Sequence, residues 1–315
     1  MNTEITVIIP TMNRPNSLSQ TLEYISKGTC KPSQVIIVDQ SQTEILQNRN
    51  KGLVDAYSKV LPNIEYHYQI EPSLTKARNF GFSFARNEVI VFSDDDVDVR
   101  KDTYENISYL FSDPSVAMVG GVQDGEKKSP PSTMSHMFGM ASFKKRRIGH
   151  MARACYGVFP SSVGDLTPTE WAMGFFFAVR KSLMEKYHLC FDENLKSYAY
   201  AEDLDFTYGY YLRANAEKLK CFMSRKLVVR HNASKEYRIP QRKHTFMLVL
   251  HRYYISNKYQ LPLYELNILW NSIGWYFFRL LKRETPKDLL DAQMFYFKHR
   301  CDVLHGCFHS DEWQN

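Results

Sequence analysis

The chain lacks the cysteine patterns of a zinc module or of a disulfide-bonded domain. Its six cysteines form no CxxC pair and show no zinc-like spacing, so neither a metal knuckle nor a disulfide framework is indicated. The N-terminal stretch MNTEITVIIPT has no basic segment and only a short apolar core, unlike a signal peptide. A reducing cytosol is the simplest compartment for such a chain, and we predict a cytoplasmic protein.

Long apolar runs and glycine-rich phosphate loops are also missing. The most apolar C-terminal stretch, 261–281, is interrupted by Glu265, Asn267, Asn271 and Arg279, which argues against a membrane span. Neither GxxxxGK(S/T) nor GxGxxG occurs, which argues against P-loop and Rossmann nucleotide binders. What remains is an ordinary globular composition with a net charge of +6, which suits an anionic partner without identifying it.

Strand and helix patterns alternate along the first half of the chain. Short apolar β-branched runs at 5–10, 34–40, 64–70 and 88–94 are separated by helical patterns. This order predicts an α/β fold with right-handed crossovers and a mostly parallel, Rossmann-like central sheet with helices on both faces. Continuous runs such as VIIV and VIVF fit strands that are buried on both faces.

The second half is less regular. Asp102 is the expected N-cap of a helix, with Glu105 as its capping-box partner. The segment 123–169 then loses clear periodicity and carries KKSPPS and KKRR, so we interpret it as an insertion or a mobile loop region. From Pro240 onward the chain is helical and aromatic in pattern, which predicts a helical C-terminal appendage.

Polar residues follow the predicted strands of the first half, at the edge where parallel sheets bind ligands. They are Thr11, Arg14, Asp39 and the run Asp94–Asp96. Adjacent carboxylates repel, so such a run usually faces a cation, a sugar hydroxyl or open water. In an extended segment Asp94 and Asp96 lie on one side, which suits a hard cation such as Mg²⁺ or Mn²⁺. A solvated acidic turn is the alternative.

Further candidates lie in the second half. In AYAEDLDF, Glu202 and Asp203 open a predicted helix, where the helix dipole keeps a carboxylate ionised and able to accept a proton; a simple charge preference is the alternative. His231 directly follows a predicted strand, and it is either a ligand or a structural histidine. Trp171 offers a face that can stack on a sugar and Gly174 lets a ligand approach the backbone, with core packing equally favoured for Trp171.

Eight stretches occur in the order typical of one enzyme family. They are VIIPTMNRPNSLSQTL, VIIVDQS, TKARNFGFSFAR, VIVFSDDDV, WAMGFFFAVRKSLM, FDENL, AEDLDFTYGYYLR and VVRHNAS. Over roughly Thr3 to Ser234, the chain resembles the inverting glycosyltransferases of family 2, which have a GT-A fold and include enzymes of bacterial cell-surface and capsular polysaccharide synthesis. The resemblance implies sugar transfer from a nucleotide-sugar donor.

The resemblance also implies a donor site in the first half of the chain. Thr11, Arg14, Asp39 and Arg78 would hold the nucleotide, with Asp39 facing the base. Asp94 would face the ribose and the donor sugar. The family often has a second aspartate where this chain has glutamine in VDQS.

The remaining roles concern the cation and the acceptor. By the resemblance, Asp96 would bind Mn²⁺ or Mg²⁺, and Asp95, otherwise part of the donor site, is the alternative ligand. His231 would join the metal or the diphosphate. Asp203 would be the general base, with Glu202 beside it orienting the helix start or an acceptor hydroxyl, although neighbouring carboxylates can share a role.

The function implied is metal-dependent, inverting glycosyl transfer in surface polysaccharide synthesis. The donor is expected to be a nucleoside-diphosphate sugar, with UDP favoured, and the acceptor a hydroxyl of a glycan or lipid-linked molecule, with no nucleic-acid partner. A sugar nucleotidylyltransferase is the alternative enzyme. Such an enzyme requires a glycine-rich loop after the first strand, and the corresponding stretch TMNRP has no glycine. A second alternative is a non-catalytic protein that binds a nucleotide or a glycan.

We expect a GT-A catalytic domain over 1–238, with a nucleotide-sugar half at about 1–122 and an acceptor half at about 123–238, followed by a helical region over 239–315. In that region apolar residues recur at three- and four-residue intervals: Leu266, Leu269, Trp270, Ile273, Phe277 and Leu280. Basic residues follow at Arg279, Lys282 and Arg283. This pattern predicts peripheral contact with the inner face of the cell membrane, a homo-oligomer contact or packing on the catalytic domain.

Overall fold

The computed structural model describes residues 3–61, 63–125, 133–140, 145–196, 200–232 and 239–313. Its first half alternates strands and helices in the predicted order. The elements are β1 (Thr3–Thr11), α1 (Pro15–Ser26), β2 (Pro32–Asp39), α2 (Glu44–Tyr57), β3 (Ile64–Tyr68), α3 (Leu74–Ser83) and β4 (Val89–Ser93). The predicted α/β alternation is confirmed.

The second half adds shorter strands and the C-terminal helices. Up to the last strand the elements are β5 (Val97–Val99), α4 (Thr103–Phe111), β6 (Val116–Gln123), α5 (Thr133–Met137), β7 (His150–Met151), β8 (Gly157–Val158), β9 (Thr167–Pro168), β10 (Phe176–Arg180), α6 (Lys181–Lys186), α7 (Glu202–Ala216) and β11 (Lys220–His231). The C-terminal elements are α8 (Gln241–Lys258), α9 (Tyr264–Leu281), α10 (Lys287–Lys298), α11 (Arg300–Leu304) and a 3₁₀ turn (Ser310–Glu312).

The central sheet has the strand order β3-β2-β1-β4-β10-β6-β11-β5, with β9 paired to β11. Strands β3, β2, β1 and β4 are parallel, whereas β10 runs antiparallel to both β4 and β6. The register aligns Thr11 with Asp39 at the ends of β1 and β2. His231, at the end of β11, is aligned with Val97 at the start of β5. The polar ends of several strands therefore meet at one edge of the sheet.

The sheet separates two apolar cores because side chains alternate along each strand. Val7 and Ile9 of β1 point into the core covered by α1, α2 and α4, whereas Ile8 points into the core covered by α3, α6 and α7. A Cβ atom on Gly81 of α3 would lie 2.5 Å from Ile8 Cγ2. Helix α3 therefore rests directly on β1, and this close packing fixes the position of Arg78 one turn earlier.

The capping box predicted at the start of α4 does not form, because Asp102 and Glu105 do not make the hydrogen bonds of that motif. Asp102 occupies the N-cap position, but its φ of −93° and ψ of 4° lie outside the extended region and its side chain makes no cap hydrogen bond. Its Oδ2 instead accepts from Asn106 Nδ2 at 3.0 Å. Glu105 Oε2 accepts from Thr29 Oγ1 at 3.1 Å, so both carboxylates serve other partners.

The described part of the segment interpreted as an insertion or mobile loop is well packed. Met151 and Cys155 are buried in a third core, together with residues of α7, α8 and α10, and Val158 is buried as well. Buried Arg252 of α8 donates from Nε to the carbonyl oxygen of Ala154 at 2.6 Å. The strands within 145–169 are only two residues long, in line with the predicted loss of periodicity, and apolar side chains spaced irregularly there still pack into a core. The KKSPPS stretch and Lys144 lie outside the described residues.

The helical C-terminal region shares its core with the part of the chain that precedes it. Lys258 of α8 donates to Asp192 Oδ2 at 2.9 Å and to Asp205 Oδ2 of α7 at 2.8 Å. The Tyr259 hydroxyl donates to the carbonyl oxygen of Asp205 at 2.7 Å. The expected boundary at 238/239 therefore does not separate two cores.

Helices α9 and α10 expose apolar side chains on the outside of the molecule. Among the exposed residues we define a C-terminal apolar surface, which consists of Leu266, Trp270, Ile273, Phe277, Leu280, Leu290, Met294 and Phe297. Five of these belong to the apolar pattern predicted for α9. None of the helices in the described ranges is both long and apolar enough to cross a membrane.

Candidate active site

Asp95 lies against the loop that follows β1. Its Oδ2 accepts from Thr11 Oγ1 at 2.7 Å and its Oδ1 from Arg14 Nη1 at 3.1 Å. The same Arg14 nitrogen lies 3.7 Å from Asp96 Oδ2. Burial raises the pKa of Asp95 to about 7, although Arg14 and Thr11 oppose the shift. Asp95 therefore joins the loop after β1 to the acidic run.

The acidic run is a turn and not an extension of β4. Strand β4 ends at Ser93 and β5 begins at Val97. Thr21 of α1 holds the turn, because its Oγ1 donates to the carbonyl oxygen of Asp95 at 2.8 Å and accepts from the amide of Val97 at 3.1 Å. Asp94 and Asp96 were predicted to lie on one side of an extended segment. Their carboxylates do lie close together, but a turn and not strand alternation brings them there.

Asp94, Asp96 and His231 form a group with the chemistry of a divalent-cation site. One donor atom from each residue lies within 4.8 Å of the other two. His231 Nε2 lies 3.1 Å from Asp96 Oδ1 and 3.9 Å from Asp94 Oδ2. Phe175 stacks on the imidazole at 5.1 Å between ring centroids. Two carboxylates beside an imidazole fit a hard divalent cation such as Mn²⁺ or Mg²⁺.

The neighbours of His231 also change the pKa of its imidazole. Burial favours the neutral imidazole, but the hydrogen bond to Asp96 and the charges of Asp94 and Asp96 raise its pKa above the usual value. Register with Val97 of β5 holds the ring opposite the turn. The strand pairing thus places the histidine, and the two carboxylates favour its protonated form.

Arg78 joins the two halves of the site. The residue is fully buried in α3. Its Nη1 donates to Glu202 Oε1 at 2.9 Å, and its Nη2 donates to Asp94 Oδ1 at 3.0 Å and to the carbonyl oxygen of Gly174 at 2.9 Å. The guanidinium of Arg78 therefore donates to three acceptors within the protein. The resemblance implied that Arg78 contacts the nucleotide directly, and its complete burial does not support that contact.

Glu202 and Asp203 occupy the first turn of α7, as predicted. Ala201 before them has a φ of +68°, a strained conformation for alanine that directs the chain into the helix. Asp203 Oδ2 accepts from the amide of Gly174 at 2.8 Å and Oδ1 from the amide of Leu204 at 2.8 Å. Glu202 is buried and tied to Arg78, whereas Asp203 is partly exposed.

Gly174 leaves room for these carboxylates. A Cβ atom at this position would lie 2.9 Å from Asp203 Cβ and 3.2 Å from Glu202 Oε1. The sequence predicted that Gly174 admits a ligand to the backbone. In the structure, the space above it is filled by side chains of α7.

Burial raises the pKa of both α7 carboxylates. The pKa of Glu202 is raised to about 8 by burial and by the charge of Asp203, with Arg78 opposing. The pKa of Asp203 is raised by burial, and its two backbone amide donors oppose the shift. Because folded Glu202 holds a proton that the unfolded chain has lost, its contribution to stability falls as pH rises from the ordinary glutamate range to about 8.

Asp39 is placed by contacts that sequence reasoning missed. It is fully buried at the end of β2. Its Oδ2 accepts from the hydroxyl of Tyr66 at 2.8 Å and its Oδ1 from the amide of Ser41 at 2.8 Å. Burial and the hydrogen bond to Asp39 raise the pKa of Tyr66. Tyr66 lies on β3, and only the pairing of β2 with β3 identifies it as a partner.

Trp171 packs in the core, one of the two roles that its sequence position allowed. It is 5% exposed, and its Nε1 donates to the carbonyl oxygen of Val158 at 3.1 Å. A Cβ atom on Gly157 would lie 2.5 Å from its ring. Because the indole faces are covered, the stacking role expected for Trp171 is not supported.

Comparisons with known proteins agree with this fold. A family model described as glycosyl transferase family 2 matches residues 6–187. The mannosyltransferase PcManGT from Pyrobaculum calidifontis, solved with GDP-Man and Mn²⁺, aligns with a TM-score of 0.56 and 14% identity over 99% of this chain and 88% of that chain. A 1–349 fragment of S. aureus TarS, solved with UDP-GlcNAc, aligns with a TM-score of 0.54 and 16% identity over 99% of this chain and 91% of the fragment.

The longer S. aureus TarS structure aligns with a TM-score of 0.51 and 19% identity over 82% of this chain, which spans 43% of that chain. The comparison with curated protein sequences found no match. The sheet and these structural similarities define a GT-A fold. The chain belongs to glycosyl transferase family 2, whose model covers more than half of it.

We predict that Gly174→Ala lowers sugar transfer about ten- to a hundredfold, because the added methyl group displaces Asp203 and Glu202 from their positions. Gly52→Ala is the matched control. Gly52 lies in α2 with no atom within 4 Å of an added Cβ, so alanine is expected to raise the unfolding free energy by roughly 0.5–1 kcal/mol. Turnover and urea unfolding of both variants test this, and wild-type turnover of Gly174→Ala would contradict it.

Proposed function

We propose that the protein is a metal-dependent, inverting glycosyltransferase that moves a sugar from a nucleoside-diphosphate sugar to a hydroxyl of a glycan or lipid-linked acceptor. The observation that carries the proposal is the bridge made by Arg78. It ties Asp94, a member of the candidate cation group, to Glu202, the neighbour of the candidate base Asp203. A donor site and an acceptor site are thus held at a fixed separation, as a transfer between two bound substrates requires.

The donor half would hold the nucleotide diphosphate. Asp94, Asp96 and His231 are the residues that would bind Mn²⁺ or Mg²⁺, and Arg14 adds positive charge beside them. The cation, when bound, supplies charge stabilisation for the leaving diphosphate. Asp39 and Thr11 lie at the ends of the neighbouring strands, where we expect the nucleoside. UDP is the favoured nucleoside diphosphate, because the resemblance and one structural relative, solved with UDP-GlcNAc, both point to it.

The acceptor half would supply the base. We propose that Asp203 takes the proton of the acceptor hydroxyl while the acceptor oxygen bonds to the anomeric carbon and the sugar–phosphate bond breaks. The electron pair leaves with the nucleoside diphosphate. A single displacement of this kind inverts the anomeric configuration, and it needs one base and no carboxylate nucleophile.

Exposure favours Asp203 over Glu202 as the base. Glu202 is buried, and its Oε1 accepts a hydrogen bond from Arg78 Nη1. Asp203 is partly exposed, and its two backbone donors orient the carboxylate without closing it off. The raised pKa of Asp203 makes it a stronger base than an ordinary aspartate. We therefore assign Glu202 a positioning role through Arg78.

The base assignment predicts a separation of donor binding from turnover. Asp203→Asn is nearly isosteric and is expected to keep the donor dissociation constant within about threefold while transfer falls by roughly two to four orders of magnitude. Glu202→Gln keeps a hydrogen-bond acceptor for Arg78 and is expected to be milder. Calorimetric donor binding and turnover measure both effects. Near-normal transfer by Asp203→Asn with loss in Glu202→Gln would reverse the assignment.

The cation assignment predicts loss of metal-dependent donor binding in Asp96→Ala. The wild-type protein is expected to show a thermal shift with UDP and Mn²⁺ that exceeds the shift with UDP alone. The variant should lose this difference, because its cation site loses a carboxylate ligand. Asp102→Ala, at an exposed position outside the site, is the control and should behave as wild type.

Two results would count against this part of the proposal. Unchanged Mn²⁺ dependence in Asp96→Ala would refute the metal assignment. If no nucleoside diphosphate stabilises the wild-type protein in the presence of metal, the transferase proposal itself fails. Donor binding without turnover on any acceptor would instead favour the non-catalytic binding protein.

We also propose that the enzyme works at the inner face of the cell membrane, in surface polysaccharide synthesis, with the C-terminal apolar surface against anionic lipid. Trp270 is 48% exposed and Phe277 is 54% exposed on α9. Arg279, Lys282 and Arg283 follow on the same helix and its end. Aromatic side chains beside a basic cluster complement an anionic lipid interface, where each basic residue contributes about 1 kcal/mol.

Vesicle flotation tests the membrane proposal. The full chain should float with phosphatidylglycerol vesicles and not with phosphatidylcholine vesicles, and Trp270→Ser with Phe277→Ser should reduce binding at least about tenfold. Leu166→Ser, at a residue 52% exposed elsewhere on the molecule, is the control. Absence of flotation would contradict membrane docking. A dimer that is detected by sedimentation and dissociates in the double variant would instead favour a homo-oligomer contact.

A further inference from the structure

The C-terminal end of the chain gathers metal-ligating residue types. The stretch HRCDVLHGCFHSDEW, 299–313, contains three histidines, two cysteines and three acidic residues. Its spacing matches no common zinc motif, and sequence reasoning passed over it. The stretch begins at the end of α10, continues through α11 and ends in the 3₁₀ turn. The fold therefore brings together residues that are separated along the sequence.

Three of these residues converge on one point. One donor atom each from His299, His309 and Glu312 lies within 4.8 Å of the other two. His299 Nε2 is 3.7 Å from Glu312 Oε2, and His309 Nδ1 is 3.8 Å from Glu312 Oε1. These separations exceed hydrogen-bond length. They approach the separation of about 3.3 Å that two ligands of a tetrahedral ion with bonds near 2.0 Å would have.

His299 supplies an independent sign of a missing ligand. Its Nε2 is buried and makes no hydrogen bond to any part of the chain that the structure describes. The ring is held in place by stacking on Phe295, with centroids 4.4 Å apart. A buried imidazole nitrogen without a partner is uncommon, because its desolvation is not compensated. A bound cation beside Glu312 would provide that compensation.

Asp302 orients the second histidine. Its Oδ2 lies 2.9 Å from His309 Nε2, so that nitrogen carries the proton and the lone pair remains on Nδ1, the atom that faces Glu312. A carboxylate behind a histidine is the usual support of a metal-ligating imidazole. Cys307 Sγ lies 3.8 Å from the same Nε2. It is therefore on the Asp302 side of the ring, away from the donor atoms.

We propose that His299, His309 and Glu312 bind a Zn²⁺ ion, with Asp302 orienting His309 and water completing the coordination. Two imidazoles and a carboxylate suit zinc, whereas the proposed active-site group, richer in carboxylates, suits Mn²⁺ or Mg²⁺. The ion fastens the 3₁₀ turn to the end of α10. Trp313 follows that turn, is 3% exposed, and stacks on Phe246 of α8 at 5.3 Å. The site thus stabilises the packing of the C-terminus on α8.

The test uses the full chain with Asp96→Ala, so that the proposed active-site cation group is weakened in every sample. Metal-free protein is titrated with Co²⁺, followed by its visible absorption, and then with competing Zn²⁺. We expect one Co²⁺ per chain that Zn²⁺ displaces, and a rise in melting temperature of about 5 °C with Zn²⁺. His309→Ala and the surface variant Glu312→Gln, each on this background, should weaken binding at least about tenfold.

His305→Ala is the matched control, because His305 is exposed and its Nδ1 is hydrogen-bonded to the carbonyl oxygen of Cys301 at 2.7 Å. It should bind Co²⁺ as the background protein does. Equal binding by the background, His309→Ala and Glu312→Gln proteins, or no Co²⁺ binding by the background, would overturn the proposal. An intense near-ultraviolet thiolate-to-cobalt band would also overturn this ligand set, since it would make Cys307 or Cys301 a ligand.

Discussion

The buried guanidinium of Arg78 is the contact on which the rest of the site depends. A charged group with no exposure is stable only when acceptors surround it, and here Asp94, Gly174 and Glu202 supply them. Those acceptors come from three separate elements of the fold: the turn after β4, the approach to β10 and the first turn of α7. The same contact that neutralises Arg78 therefore fixes the distance between the cation group and the base.

The layout of the sheet could be predicted because each signal is local. Apolar β-branched runs and helical periodicity identify β1 to β4 and the helices between them, and the carboxyl ends of these strands lie where Thr11 and Asp39 were expected. The segment 145–169 could not be predicted, since its buried residues show no period and pack against α7, α8 and α10, which are distant in the sequence. The capping contacts of Asp102 failed for a related reason: backbone angles at a helix start cannot be read from residue type.

The candidate site was predicted in its residues but not in all of its contacts. Asp96 and His231 were expected at the cation and Asp94 at the ribose and donor sugar, and the three lie together, because a turn and strand pairing bring them into contact. Arg78 was expected at the nucleotide, but long-range packing of α3 on β1 encloses it. The sequence allowed Trp171 either to stack on a sugar or to pack in the core. The close approach of Gly157 covers its ring, which favours core packing. Local patterns thus identify chemical types, while burial decides which of them reach a ligand.

Turnover of Arg78→Lys at saturating donor tests the central claim most directly. Lysine keeps the charge but cannot reach Asp94, Gly174 and Glu202 at once, because it presents a single nitrogen. We expect transfer to fall about a hundredfold as the base and the cation group lose their fixed separation, while Lys76→Ala on the same helix stays within about twofold of wild type. Wild-type turnover of Arg78→Lys would contradict the account.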